Sequence, residues 1–517
     1  LEIDLDFLSE ISVKMIFSSS SRVLYDEYRV QMRKIADVKN ASAVLQWDQE
    51  TYMPEKATAF RAAQIASLSE LSHQLFTHES MGAILQELQS RDDLAEDEQI
   101  NVALTWEDFN KQKKYPGAFV RSLSETASRS FHSWVQARKQ NAFPVFAPDL
   151  AILIDLKKQE TDLLGYDRHP YDALLNEFEK GCTVDMLDRL FPAVRQPLKD
   201  LLDRISQKPA PDDRFLRRHY PSQLQWDFGM QLILGAGFDF GAGRQDISEH
   251  PFTTSFSPDD VRITTRVDEE NLDRMVWSCI HETGHALYEQ GLPRPQYGLP
   301  LGEYTSLGIH ESQSRLWENQ VGRSLPYWTF WFPTLQSIFP DNLRAVSLKD
   351  FYAGINRVEP TYIRTEADEL TYHFHIMIRY ELEKAVLEGA LRVGDISAWW
   401  KEQYRNWLGL EPLDDNRGCL QDVHWSHGSF GYFPTYSLGS FYAAQFFERA
   451  VQEIPGLTRT LSEGHTKPLL DWLRISIHQY GKRYRSAELC EKVTGKPLDF
   501  QSFLNYLLDK YQKIYDL

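Results

Sequence analysis

Apolar side chains return every three or four residues through most of this chain. Over 24–50 they fall at Leu24, Tyr28, Met32, Ile35, Val38, Ala41 and Leu45, close to the period of one helical face. Residues 57–75, 97–111 and 117–140 carry the same pattern, the last opening after Pro116. It continues over 185–206 with Met186, Leu187, Leu190, Phe191, Val194, Leu198 and Leu201. No Ser/Gly linker, low-complexity tract or internal repeat divides the sequence. The pattern predicts a mainly α protein: one large helical, bundle-like domain over 1–517, with two lobes around a deep cleft.

One stretch breaks the helical period. From Val261 to Val267, β-branched Val261, Ile263, Thr265 and Val267 alternate with Arg262, Thr264 and Arg266, a period of two. Ser257-Pro258-Asp259-Asp260 before it is a turn signature, and Phe252 to Phe256 can be the partner strand. A small β-hairpin over about 251–268 is predicted. It leads into a helix from about Glu269 to Gln290, stopped by Gly291 and Pro293. Leu272, Val276, Cys279, Ile280 and Leu287 give that helix a core side, and Trp277, His281, His285 and Tyr288 a neighbouring stripe.

That stripe carries His281-Glu282-Thr283-Gly284-His285, an H-E-x-x-H motif. Four residues is close to one helical turn, so both imidazoles project from one face. Two neutral histidines there can hold one Zn²⁺, and the Glu between them can reach a water beside it. This is the chemistry of peptide hydrolysis. A catalytic zinc takes three protein ligands and keeps one open position. Glu303, Glu311 and Glu318 are all candidates for the third by their distance along the chain, and spacing does not choose among them. Cys279, two residues before the motif, is a conceivable thiolate ligand, but a lone Cys is more commonly a small buried apolar residue.

Composition narrows the setting. With 42% hydrophobic and 25% charged residues, the chain reads as ordinary globular protein. Its net charge of −18 argues against a nucleic-acid partner, which wants a basic face. Cys182, Cys279, Cys419 and Cys490 are far apart and form no C-x-x-C pair, which points to free thiols in a reducing compartment. Leu1 to Phe17 carries Glu2, Asp4, Asp6 and Glu10 against Lys14, with neither the basic start nor the apolar run of a secretory signal. No segment reaches the apolar length of a membrane span. The expectation is a cytoplasmic protein.

Six further blocks surround the motif: Leu45-Gln46-Trp47-Asp48-Gln49-Glu50-Thr51-Tyr52-Met53-Pro54, His250-Pro251-Phe252, Asp260-Val261-Arg262-Ile263-Thr264, His310-Glu311-Ser312-Gln313, Ile363-Arg364-Thr365-Glu366-Ala367-Asp368 and Gly418-Cys419-Leu420-Gln421-Asp422-Val423-His424-Trp425. Each is short. In this order around H-E-x-G-H, they make nearly the whole chain resemble the metallocarboxypeptidases typified by carboxypeptidase Taq.

The resemblance implies that Glu311 is the third ligand beside His281 and His285, and that Glu282 is the general base. It implies a zinc carboxypeptidase that shortens peptides from a free C-terminus, tolerates many side chains, cuts poorly next to proline, accepts Co²⁺ for Zn²⁺ and forms a homodimer. A free α-carboxylate is best matched by an Arg fork. Arg364 fits the family's I-R-x-x-A-D block and is the residue expected for it; the competing role is a salt bridge to Glu366 or Asp368. Arg364 is also expected to open a long helix over Thr365 to Glu383.

For an oxyanion donor besides the metal, 424–436 offers Tyr436 and His424, then Tyr432 and His427, with cleft lining as the plainer role. His310 reads as either a support for the metal site or a substrate contact. Asp260, Arg262 and Thr264 resemble a groove edge that limits substrate length, or else an Asp–Arg pair holding a turn. The aromatic run Tyr327–Phe332 and the pair Trp399-Trp400 read as core or subunit contact. Two rivals remain: a helical zinc endopeptidase or dipeptidase without the carboxylate clamp, and a non-catalytic protein with a closed structural metal site.

Overall fold

The computed structural model describes residues 20–517, so the acidic stretch Leu1–Phe17 lies outside the described residues. The first described helix, Ser21–Thr51, starts where the Ser20 side chain accepts the Val23 N–H. With helices Thr58–Thr77, Glu79–Gln89 and Glu96–Lys113 it closes a small core of Leu24, Tyr28, Ile35, Met81, Ile84, Leu85, Val102 and Phe109. The remaining helices, including Gly117–Gln140 and Val184–Ser206, surround a second and much larger core. The segments whose apolar period predicted helix are helical, within a few residues at each end. Trp328 and Trp400 are fully buried in the large core, while Phe330 of the first aromatic run is exposed.

The two cores are tied by polar contacts. Asn101 on the small unit donates to Gln296 Oε1 (3.0 Å) and accepts from the Leu301 N–H (2.9 Å), and Asn40 donates to the Phe256 carbonyl (2.7 Å). Between the two units runs a cleft of about 2180 Å³, lined on one side by Met32, Lys39, His73 and Phe76 and on the other by His281, Glu311, Arg364 and Tyr436. It exceeds the roughly 300–1,000 Å³ of a small-molecule pocket and suits an extended peptide.

The hairpin is present, as β2 (Thr253–Ser257) paired antiparallel with β3 (Asp260–Thr265). It is not alone: β1 (Gly243–Ile247) runs parallel to β3, giving the order β1-β3-β2. β1 escaped the pattern because Gly-Arg-Gln-Asp-Ile offers a single apolar residue to alternate. The expected helix over Thr365–Glu383 also differs. A 3₁₀ turn at Arg364–Glu366 precedes a helix that begins only at Tyr372. Asp368 interrupts it by accepting the N–H groups of Leu370 and Thr371 (2.9 Å each) and of Glu359 (3.1 Å).

Candidate metal centre and its cleft

The motif helix, Leu272–Glu289, is capped by Asn271, which accepts the Asp273 N–H. Its core side fixes its rotation, so His281 and His285 face the cleft half-buried while Glu282 is buried. A second helix, Leu307–Arg315, crosses against it and carries Glu311. Gly284 permits this crossing, and Gly439 on the helix Pro434–Glu453 lets a third helix close on Glu311. A Cβ at Gly284 would lie 2.6 Å from the Gln313 carbonyl oxygen and Ser314 Cα, and one at Gly439 would lie 2.6 Å from Glu311 Cγ. The small residue inside H-E-T-G-H is therefore what lets the Glu311 helix close on the histidines.

The ligand atoms of His281, His285 and Glu311 all lie within 4.8 Å of one another. Glu311 Oε2 is 3.8 Å from His281 Nε2 and 3.5 Å from His285 Nε2. Bonds of about 2.0–2.2 Å from one ion to three such atoms fit this spacing, and the donor set of two imidazoles and a carboxylate leaves a coordination position open. The residues present fit a divalent cation.

Each ligand has its own support. His281 Nδ1 meets Glu318 Oε2 at 2.8 Å. His285 Nδ1 meets His310 Nδ1 at 2.6 Å, and His310 Nε2 meets Glu289 Oε1 at 2.8 Å. With His285 donating to His310 and His310 to Glu289, both ligand rings present an Nε2 lone pair to the cation position. Glu311 Oε1 accepts from Arg315 Nε (2.7 Å), and Arg315 also reaches Glu318 (3.2 Å) while stacking on Tyr372 (4.4 Å).

Burial opposes charge throughout. At His281 it is outweighed by Glu311 and Glu318, which bring the ring up to about 9, so that a cation must displace a proton to reach its Nε2; at His285 burial and His310 hold the ring neutral, down to about 3. Burial raises Glu282 above the usual carboxylate range, and Thr253 on β2, 2.7 Å from Glu282 Oε2, works against that rise.

Arg364 is buried in the cleft wall. Its partner is neither Glu366 nor Asp368 but Asp422: Nε donates to Oδ1 at 3.0 Å, Nη2 lies 2.9 Å from the same oxygen, and Nη1 donates to the Tyr372 hydroxyl at 2.9 Å. Asp422 also accepts from Arg379 Nε (2.7 Å). Burial would raise the Asp422 carboxyl, but Arg379 and Arg364 together hold it well below its usual range.

His424, Tyr432 and Tyr436 line the same cleft, with His424 Nε2 3.4 Å from the Tyr436 hydroxyl. Burial brings His424 down to about 4, so the ring is neutral near pH 7. His427 is not brought to the cleft: it is exposed and stacks on Phe131 at 5.0 Å. Asp260, Arg262 and Thr264 also stand back from it. Asp260 and Arg262 form a paired contact (3.0 and 3.1 Å), Arg262 stacks on Trp47 (4.3 Å), and Thr264 accepts the Phe252 N–H (2.9 Å). These residues brace β3, while the neighbouring strand β2 presents Thr253, Thr254 and Ser255 to the cleft.

Of the other candidates, Glu303 pairs with Lys482 at 3.1 Å, and Cys279 is a buried free thiol that accepts from Gln245. The pattern of Glu311, Arg315 and Glu318, at i, i+4 and i+7, was a visible signal for Arg315, which the sequence reading passed over.

A family model described as Carboxypeptidase Taq (M32) metallopeptidase matches residues 27–511. Thermostable carboxypeptidase 1 of Thermus thermophilus is 40% identical over 496 residues, covering 93% of this chain and 97% of that protein. Carboxypeptidase 1 of Bacillus subtilis is 36% identical over 486 residues, covering 94% and 97%. Among solved structures, an M32 carboxypeptidase from Deinococcus radiodurans R1 superposes with a TM-score of 0.94 at 37% identity, covering 96% of this chain and 100% of that one.

Proposed function

Because this chain belongs to the carboxypeptidase Taq (M32) family of metallopeptidases and is a metallocarboxypeptidase acting on peptides, we propose that it works with Zn²⁺ held by His281, His285 and Glu311, and that Arg364 takes the substrate's free α-carboxylate. Co²⁺ would suit the same donors. Such an ion supplies Lewis acidity to the scissile carbonyl and lowers the pKa of water.

The chain's own residues do the rest. Glu282 takes a proton from the attacking water on the carboxylate oxygen left free by Thr253, and returns it to the leaving amine. Tyr436, with the neutral His424 beside it, donates to the oxygen where charge develops, and Tyr432 lines the approach. His310 serves the metal site through His285. Asp260, Arg262 and Thr264 set the position of β2, which limits how a peptide lies in the cleft. His427 takes no part in this reading.

The observation that carries the proposal is a charge imbalance. Arg364 and Arg379 are both buried, and among the described residues their one carboxylate partner within ion-pair distance is Asp422. Asp422 is thus shared between two guanidinium groups, and Arg364, the one of them that lines the cleft, has no carboxylate of its own. A peptide's terminal carboxylate supplies the missing negative charge in bidentate form. Tolerance of many C-terminal side chains, weak cleavage next to proline and a homodimer rest on the family resemblance. A cytoplasmic setting rests on the four buried free thiols.

The test is a long N-blocked peptide and its C-terminally amidated twin, each incubated with zinc-loaded protein and followed by mass spectrometry. A ladder from the free C-terminus only is expected. Arg364→Ala should lower kcat/KM for the free peptide by about 100-fold or more, the 2–5 kcal/mol expected for losing a buried charged contact, and leave any slow action on the amide unchanged. Equal losses on both substrates would remove the clamp. Internal fragments from both would favour the endopeptidase reading.

A further inference from the structure

Glu383, on the helix Tyr372–Glu388, is fully buried and has no ion-pair partner among the described residues. Its carboxylate accepts three hydrogen bonds. Oε1 takes the indole N–H of Trp425 (2.7 Å), and Oε2 takes the backbone N–H of Gly431 (2.7 Å) and the hydroxyl of Tyr171. Trp425 adjoins His424 and Gly431 adjoins Tyr432, so two cleft-facing side chains each sit one residue from an anchor on the same carboxylate.

The rest of the segment has little freedom. Gly431 has φ +95°, and a Cβ there would meet the Leu174 carbonyl oxygen at 2.6 Å. The loop is thereby pressed on the helix Pro170–Phe178, which supplies Tyr171 and, at its end, Phe178 packed edge-on against Tyr432 (5.2 Å). A carboxyl group has acceptor lone pairs on both oxygens, whereas an amide of the same shape turns an NH₂ toward one of the donors. Burial pushes the Glu383 carboxyl up to about 7, so this arrangement comes at a desolvation cost.

We propose that Glu383 is a positioning residue for turnover: by holding Trp425 and Gly431 it sets where His424, Tyr432 and Tyr436 stand against the reacting carbonyl. This rests on the reading of Tyr436 and His424 as donors to the developing oxyanion. A misplaced donor lowers transition-state stabilisation while leaving substrate binding and the metal ligands in place.

The experiment compares Glu383→Gln, Trp425→Phe and Tyr436→Phe in the full-length, metal-loaded enzyme, with kcat, KM and metal affinity measured separately. Glu383→Gln is expected to lower kcat by about 10- to 100-fold with KM and metal affinity within about threefold of the parent. Trp425→Phe, which removes one anchor and keeps the carboxylate, should lower kcat by less in the same manner, and it carries the test should Glu383→Gln fail to fold. Parent kcat in Glu383→Gln, or equal losses in kcat, KM and metal affinity, would overturn the inference. Should Tyr436→Phe be impaired while Glu383→Gln and Trp425→Phe keep parent kcat, the inference alone fails. Should Tyr436→Phe keep parent kcat, the oxyanion reading fails and takes the inference with it.

Discussion

Glu318 Oε2 lies 2.8 Å from Nδ1 of His281, while Nε2 of the same ring points toward Glu311, 3.8 Å away. The two carboxylates have different work. One faces the cation position; the other fixes the ring's tautomer, so that Nδ1 keeps its proton and Nε2 offers a lone pair. Glu318→Gln should therefore weaken metal binding by about 10- to 100-fold, read by competition against a chromogenic chelator. An unchanged affinity would mean that packing alone orients His281.

Thr253 holds one oxygen of Glu282. Removing its basicity while keeping its shape should separate metal binding from turnover. Glu282→Gln is expected to retain one metal per chain and lose about 10²- to 10⁴-fold in kcat. A variant that hydrolyses peptide at the parent rate would remove Glu282 as the base.

What the sequence made legible, and what it hid, divides along contact distance. His281, Glu282 and His285 share one helical turn, so their common face follows from spacing alone. Glu311 was one of three equivalent candidates until the family blocks singled it out, and Glu318, another of the three, stands one step outward as the partner of His281. Asp422, 58 residues from Arg364, could not be paired with it by any local rule, and nearby Glu366 and Asp368 stood as the competing partners to a carboxylate clamp. β1 and the late start of the helix at Tyr372 were missed because short polar strands and Asx side-chain caps leave little periodic signal. Helical existence, set by long amphipathic stretches, was the most legible feature.

Asp422 sits between two buried arginines, and its removal leaves both without an ion-pair partner among the described residues. Asp422→Ala should destabilise the fold by about 3–5 kcal/mol, the range for breaking a buried ion pair. Urea unfolding at constant metal concentration measures it. A loss below about 1 kcal/mol would show that solvent reaches the arginines and would weaken the charge-imbalance argument with it.

His478 is one of several buried neutral rings that make the fold sensitive to acid, and it lies outside the candidate metal ligands. It is fully buried, its Nε2 lies 3.0 Å from Gln313 Oε1, and its Nδ1 has no hydrogen-bond partner among the described residues. Burial, with Arg474 and His310 adding to it, brings the ring from 6.5 down to about 3. The folded state thus holds it neutral at pH values where the unfolded chain binds a proton. Its contribution to stability is fully present above pH 6.5 and is lost as pH falls from there toward 3. At pH 5 the loss is about 2 kcal/mol, from about 1.4 kcal/mol per unit below the unfolded pKa. His478→Gln keeps a donor for Gln313 but cannot titrate. Whatever it does to stability at pH 7.5, its unfolding free energy should fall less steeply than the parent's between pH 6 and 4.5, by up to about one proton. Identical slopes in urea titrations across that range would show that the ring is already protonated, or solvated, in the folded protein.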